Sequence, residues 1–201
     1  MYFVAQMTYD TTLLLKHQLE AFYPLDEAIV EVFAARWQEV SFKRREIISP
    51  VGEREHYIYL VLEGVQHAVC SNGDKEATLV FSYPHSFSGL IDSFLLQQPA
   101  KCYLQAITHS RLLRLHHNEL MALIREHRSI ETWMWRALSV VLAGTLERQT
   151  ELLTYSAEEK FTTLLKRSPQ VLNMIPHKYL ASYIGVDATT FSKMLGRVRI
   201  E

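Results

Sequence analysis

An Asn72-Gly73 pair stands between two runs of apolar and β-branched residues, Val65–Cys70 and Ala77–Phe81, and it commits the centre of the chain to a tight hairpin. Two-residue hairpin turns need positive φ at their central positions, which Asn-Gly adopts at little cost. The pattern extends on both sides. Val40, Phe42, Ile47 and Ile48 come first, and the run His56–Leu62 follows, closed by a turn at Glu63-Gly64. Tyr83-Pro84 marks a further turn, and beyond a short polar segment lie two more strand candidates, Cys102–Ile107 and Arg111–Leu115. Short strands at this spacing predict a small antiparallel barrel or roll.

The flanks follow a helical period instead. Leu13-Leu14-Leu15, Leu19, Phe22, Ile29, Val30, Val32 and Phe33 recur at steps of three and four within the first 35 residues, broken by Tyr23-Pro24. From His117 to Arg148 there is no proline and one glycine, Gly144. Ile130, Trp133, Met134, Ala137, Leu138, Val141, Leu142 and Leu146 mark an apolar stripe there, wider than a lone surface helix needs. Such a stripe favours pairing with a second copy; the alternative is a helix packed wholly on its own barrel. Ser156 with Glu159 three positions later is the signature of a capping box and places a boundary near residues 154–156. The predicted organisation is α+β: an antiparallel β-roll over residues 1–127, a dimerisation helix and linker over 128–155, and a C-terminal helical domain over 156–201.

Within that last part, the segment from Pro176 to Gly196 satisfies several constraints at once. Pro176 suits a helix start, where its missing N–H costs nothing. Leu180 and Ile184 form one inner face, Ala181 is small where two helices approach, Gly185 ends the first helix, and Asp187 caps the second. Phe191, Met194 and Leu195 point back at the first helix. This is the spacing of a helix-turn-helix, and an ordinary helical hairpin with a glycine turn is the plainer alternative. In a helix-turn-helix the second helix enters the major groove, so Ala188, Thr189, Thr190, Ser192, Lys193 and, a turn later, Arg197 are the candidate base or phosphate contacts. His177 and Lys178, at the start of the first helix, are candidate phosphate contacts. Short side chains of this kind read few bases bidentately, so DNA shape would carry part of the specificity.

Charge is distributed in the same sense. Residues 1–157 hold 14 basic and 18 acidic residues, net −4, whereas residues 158–201 hold 7 basic and 4 acidic, net +3. Two cysteines, Cys70 and Cys102, form no metal-binding motif and read as free thiols in a reducing compartment. No signal peptide or membrane-spanning run is evident, so the expected location is the cytoplasm. The sequence lacks a phosphate-cradling glycine loop, a GxSxG and an HExxH, which argues against an enzyme. Neither a cofactor nor a metal is expected: His116, His117 and His127 invite a metal reading, but nine histidines scattered along the chain are more often surface residues. A haem or redox sensor working through a histidine or the two cysteines stays open, whereas two cysteines are too few for an iron–sulfur cluster.

The order of parts resembles the Crp–Fnr family of bacterial regulators, whose sensory domain is a cyclic-nucleotide-binding fold, which implies a cupin-like double-stranded β-helix for the roll here. The resemblance covers nearly the whole chain and is carried by Phe42–Ile48, Gly52-Glu53, Ile58–Gly64, Phe87–Ala106, Leu152–Lys160 and Leu180–Leu195. It implies a homodimer, double-stranded DNA with two-fold-related half-sites, RNA polymerase as a partner and a small-molecule effector of unknown identity. In members that bind cyclic AMP, a cassette presents Phe-Gly-Glu-Leu and, later, an arginine for the cyclic phosphate. The matching segments here are Phe87-Ser88-Gly89-Leu90 and Pro99-Ala100-Lys101-Cys102. Gly89 replaces the glutamate that would hold the ribose, and Ala100 replaces the arginine, with Lys101 beside it as a point charge lacking a planar fork. The resemblance therefore implies a regulator that does not respond to cyclic AMP. Ser88, Gly89, Leu90, Ala100, Lys101 and Cys102 remain the candidate ligand residues. In the second helix the family's frequent Arg and Glu positions are Ala188 and Thr189, which implies a different DNA target. The Ser168–Ile175 link leaves little room for the β-hairpin that often precedes the two helices. An effector-binding or scaffolding module of the same fold without DNA binding is the rival reading.

Overall fold

The computed structural model describes residues 9–197. Two helices open the chain, α1 (Tyr9–Glu20) and α2 (Glu27–Ala34), separated at Tyr23-Pro24 as the sequence predicts. Eight strands follow: β1 (Gln38–Phe42), β2 (Ile47–Ser49), β3 (Tyr57–Glu63), β4 (Gln66–Asn72), β5 (Lys75–Ser82), β6 (Phe87–Ser88), β7 (Cys102–Ala106) and β8 (Ser110–His116). They form two four-stranded sheets, in the orders β1-β8-β3-β6 and β2-β7-β4-β5, and the antiparallel β-roll is the fold observed. Strand β8 is central to the first sheet, with Leu113 opposite Glu39 on one side and Leu60 on the other.

Alternation along β3 and β8 sends side chains to two separate cores. Ile58, Leu60, Leu113 and Leu115 face the helical layer, where they meet Leu15, Leu19, Phe33, Leu120 and Trp133. Tyr59, Val61 and Leu112 face the roll interior and pack with Ala68, Leu90, Ala100 and Leu104. Burying a large apolar side chain is worth about 1.5–3 kcal/mol, so these two layers supply the main stabilisation of the roll.

Between β6 and β7 the chain makes a short helix, α3 (Ile91–Leu96), which buries Phe94. The sequence predicted a polar connection there; six residues are too few for a helical period to register. Within His117–Arg148, the extended backbone of His127 separates α4 (His117–Glu126) from α5 (Arg128–Thr154). Neither glycine nor proline marks that break. Along α5 the apolar stripe divides: Ile130, Trp133 and Met134 are buried, whereas Val141, Leu142 and Leu146 are about half exposed, at 46%, 60% and 54%.

After α5 come α6 (Ala157–Arg167), the single turn α7 (Val171–Met174), α8 (His177–Ile184) and α9 (Ala188–Arg197). The predicted capping box is formed: Ser156 Oγ accepts from the Glu159 N–H at 3.3 Å, and Glu159 accepts from the Ser156 N–H at 2.7 Å. The Ser168–Ile175 link is filled by α7.

The chain divides into two compact units, one reaching to Ala68 and including Phe81–Val140, the other comprising Val69–Val80 and the residues from Val141 onward. In the second unit the hairpin strand β5 meets α8: Ser182 Oγ accepts from the Thr78 N–H at 3.0 Å and donates to the Glu76 carbonyl at 3.4 Å. Here too, Glu151 near the end of α5 is buried between two guanidiniums, accepting from Arg148 at 3.1 Å and from Arg167. Arg148 in turn lies 3.9 Å from the Tyr183 ring and donates to the Tyr183 carbonyl.

Candidate nucleic-acid interface and ligand cassette

Two helices and a three-residue turn build the C-terminal candidate. Leu180, Ala181 and Ile184 of α8 and Phe191 and Met194 of α9 are buried, as the i, i+3, i+4 spacing requires. Phe161 of α6 meets the Phe191 ring edge-on at 5.1 Å. Gly185 adopts φ +71°, and the Val186 N–H reaches back to the Ala181 carbonyl, closing α8 in a left-handed cap that a residue with a Cβ adopts reluctantly. Asp187 caps α9 by accepting from the Thr190 N–H at 2.8 Å. It also accepts from the Thr190 hydroxyl at 2.7 Å, and these bonds hold its carboxyl below the usual range.

The outer face of α9 is left to solvent. Ala188, Thr189, Ser192, Lys193 and Arg197 are exposed, and Arg197 lies 3.7 Å from the Glu158 carboxylate. Thr190 is half-buried, its hydroxyl engaged by Asp187. His177 and Lys178 are exposed at the start of α8, the first against the Phe191 ring at 5.6 Å and the second with its ammonium over Tyr179 at 4.6 Å.

Leu90 and Ala100 belong to the roll's inner core beside Tyr59 and Leu104, while Lys101 is exposed. Both backbone groups of Ala100 are taken by the 52–53 turn, its N–H by Glu53 and its carbonyl by Gly52, each at 2.8 Å. Gly89 has φ +138°, a conformation strained for any residue with a side chain, so a glutamate there would need a different backbone. Ser88 is buried opposite Tyr59, and its hydroxyl has no partner among the described residues. Beneath the cassette, Glu55 accepts from the Ser49 hydroxyl and from the Tyr57 N–H at 3.0 Å, and burial pushes its carboxyl above the usual range.

The cysteines depart from the sequence expectation. Cys70 on β4 and Cys102 on β7 are both disulfide-bonded, so neither is a free thiol.

Sequence reasoning passed over a polar group at the end of the roll. Tyr57, Arg114 and His116 come together there with Arg36, Gln38 and Glu119. The signal was Arg114 itself, a charged residue between Leu113 and Leu115 in the predicted strand Arg111–Leu115.

Residues 39–127 match the family model of the cyclic nucleotide-binding domain. No curated protein matches the chain. Among solved structures the fold is similar to FixK2 from Bradyrhizobium japonicum, at 16% identity over 80% of this chain and 83% of that one, with a TM-score of 0.69. It is similar also to the catabolite activator protein of Thermus thermophilus, at 22% identity over 90% and 85%, with a TM-score of 0.57. A third similar structure is the c-di-GMP-responsive global regulator CLP of Xanthomonas campestris, at 17% identity over 86% and 91%, with a TM-score of 0.64. No helix among the described residues is long and apolar enough to cross a membrane.

Proposed function

We propose that this chain is a homodimeric, DNA-binding transcription regulator of the Crp–Fnr type, not an enzyme, and that cyclic AMP is not its effector. The observation that carries the reading is the α8–Gly185–α9 arrangement, with its apolar faces buried, its cap formed and Ala188, Thr189, Ser192 and Lys193 left on the outer face. A major-groove reader needs a rigid second helix whose N-terminal side chains are free to meet base edges. Likeness to a catabolite activator protein and a global regulator over most of the chain supports the same assignment. The half-exposed Val141, Leu142 and Leu146 supply the face for a second copy, which would set two α9 helices against two half-sites. The burial of Leu90 and Ala100 in the roll core and the glycine conformation at position 89 support the loss of cyclic AMP binding.

Selection of bound duplexes from a random pool, followed by a salt titration of the enriched sequence, tests this reading. Specific binding that weakens as salt rises is expected, because displaced phosphate counterions must be paid back. Lys193→Ala should weaken it by about 1–3 kcal/mol if the ammonium meets a base edge. An absence of any enriched sequence at low salt would leave the fold as an effector-binding or scaffolding module. A redox-responsive form of the same regulator is supported by the oxidised state of Cys70 and Cys102, and comparison of DNA affinity before and after phosphine reduction tests it.

A further inference from the structure

The lining of the roll interior changes character toward one end. Tyr59, Val61, Leu104 and Leu112 fill the middle. Where β1 and β3 begin and β8 ends, Arg36, Gln38, Tyr57, Arg114, His116 and Glu119 line a cleft of about 330 Å³. That volume is at the small end of metabolite sites, which run from roughly 300 to 1,000 Å³.

Arg114 is the centre of this group. It lies opposite Gln38 on β1 and Tyr59 on β3, on the same face as the inward Leu112. Its guanidinium carbon lies over the Tyr57 ring, 4.5 Å from the centroid, and its Nη2 is 3.5 Å from the Gln38 side-chain oxygen, at the limit of a hydrogen bond. Its Nε is buried and has no partner among the described residues. An arginine keeps its charge at any physiological pH, and a buried donor on a charged group left unmet is costly. The carboxylate of the lining, Glu119, is already engaged by Arg36 at 2.6 Å. Two guanidiniums thus face one carboxylate. His116 adds a further donor: its Nδ1 accepts from the Asn118 N–H at 3.0 Å, which leaves the proton of the neutral ring on Nε2. Burial and the parallel His56 ring 5.9 Å away favour that neutral form.

We propose that this cleft at the mouth of the roll binds a small oxyanion, the carboxylate or phosphate of a metabolite, through the fork of Arg114 with Arg36 and His116 as flanking donors. A planar guanidinium matches both groups bidentately, and the contact with Tyr57 holds it in place in advance. The site uses none of the cassette residues Ser88–Leu90 or Ala100–Cys102 and involves no DNA.

The test is calorimetric titration of the full chain with inorganic phosphate and, separately, with succinate, using sodium chloride of matched ionic strength as the control. In parallel, the His116 ring is followed by NMR. Saturable binding of at least one anion is expected, with movement of the His116 resonances, a loss of tenfold or more in Arg114→Gln and no change in Lys101→Ala. Phosphate alone would assign a phosphate ester and succinate alone a carboxylate ligand. Arg36 is 43% exposed, so Arg36→Gln should fold; if Arg114→Gln does not, weakened binding in Arg36→Gln together with the His116 shift decides the matter. No saturable binding of either anion, or binding that survives Arg114→Gln or disappears in Lys101→Ala, overturns the proposal.

Discussion

At its N-terminal end α5 is fastened by an aromatic group, and at its C-terminal end by charge. Trp133 is buried with the rings of Phe22, Phe33 and Phe87 at 5.2–6.1 Å, and its indole N–H donates to the Leu19 carbonyl at 2.8 Å. Eighteen positions on, Glu151 is 4% exposed and is held by Arg148 and Arg167, with Arg148 stacked on Tyr183. The aromatic fastening rests on apolar burial and dispersion, which salt barely touches. The ionic one balances a desolvation cost against Coulomb attraction, so its worth depends on every partner being present. One helix therefore carries two attachments with different weaknesses, and between them lies the exposed stretch Val141–Leu146 that belongs to neither.

Substitutions separate the three regions. Trp133→Ala should cost the most, about 3–5 kcal/mol in denaturant unfolding of the roll, with little dependence on salt. Glu151→Ala leaves two guanidiniums facing each other; because Arg167 is 41% exposed and partly solvated, about 2–3 kcal/mol is expected, seen as faster amide exchange in α6 and α8. If exchange in the roll accelerates equally, the two fastenings are not independent. Val141→Glu should weaken the dimer by at least tenfold, about 1.4 kcal/mol, in sedimentation experiments, while unfolding of the roll is unchanged. A dimer that persists would move the interface off this stretch. Tyr183→Phe keeps the ring and Tyr183→Leu removes it, while both keep the carbonyl that Arg148 uses; the difference between them should be about 0.5–1 kcal/mol, read by the same exchange measurement.

What was legible in the sequence follows the range of the interactions. The Ser156/Glu159 box, Gly185 and Asp187 act within four residues, and each does in the structure what its neighbours imply; Asn72-Gly73 does mark the hairpin, but Asn72 closes β4 and the turn falls on Gly73-Asp74, with positive φ at Gly73 and not at Asn72. That His56–Leu62 is a strand was equally plain from its β-branched and aromatic content. The helix α3 and the break at His127 lack glycine or proline and are too short or too local to disturb a periodicity. The Arg114 cleft draws on residues from 36 to 119, and Glu151 finds Arg167 across a helix boundary, so neither could be read from spacing. The cassette lies between these cases: that Leu90 and Ala100 are apolar was visible, but that they complete the roll's core depends on Tyr59 and Leu104 arriving from other strands.

The hydroxyl of Ser182 has a consequence for solubility. Strand β5 is the outermost of its sheet, and an outermost strand presents a row of unpaired N–H and C=O groups to any other strand that passes. By taking the Thr78 N–H and the Glu76 carbonyl together, one serine on a helix imitates the single residue that a neighbouring strand would have supplied there. The helix thereby closes the position at which a foreign strand would begin to zip on. A roll separated from its C-terminal helices would lose that stopper and leave β5 free to template association.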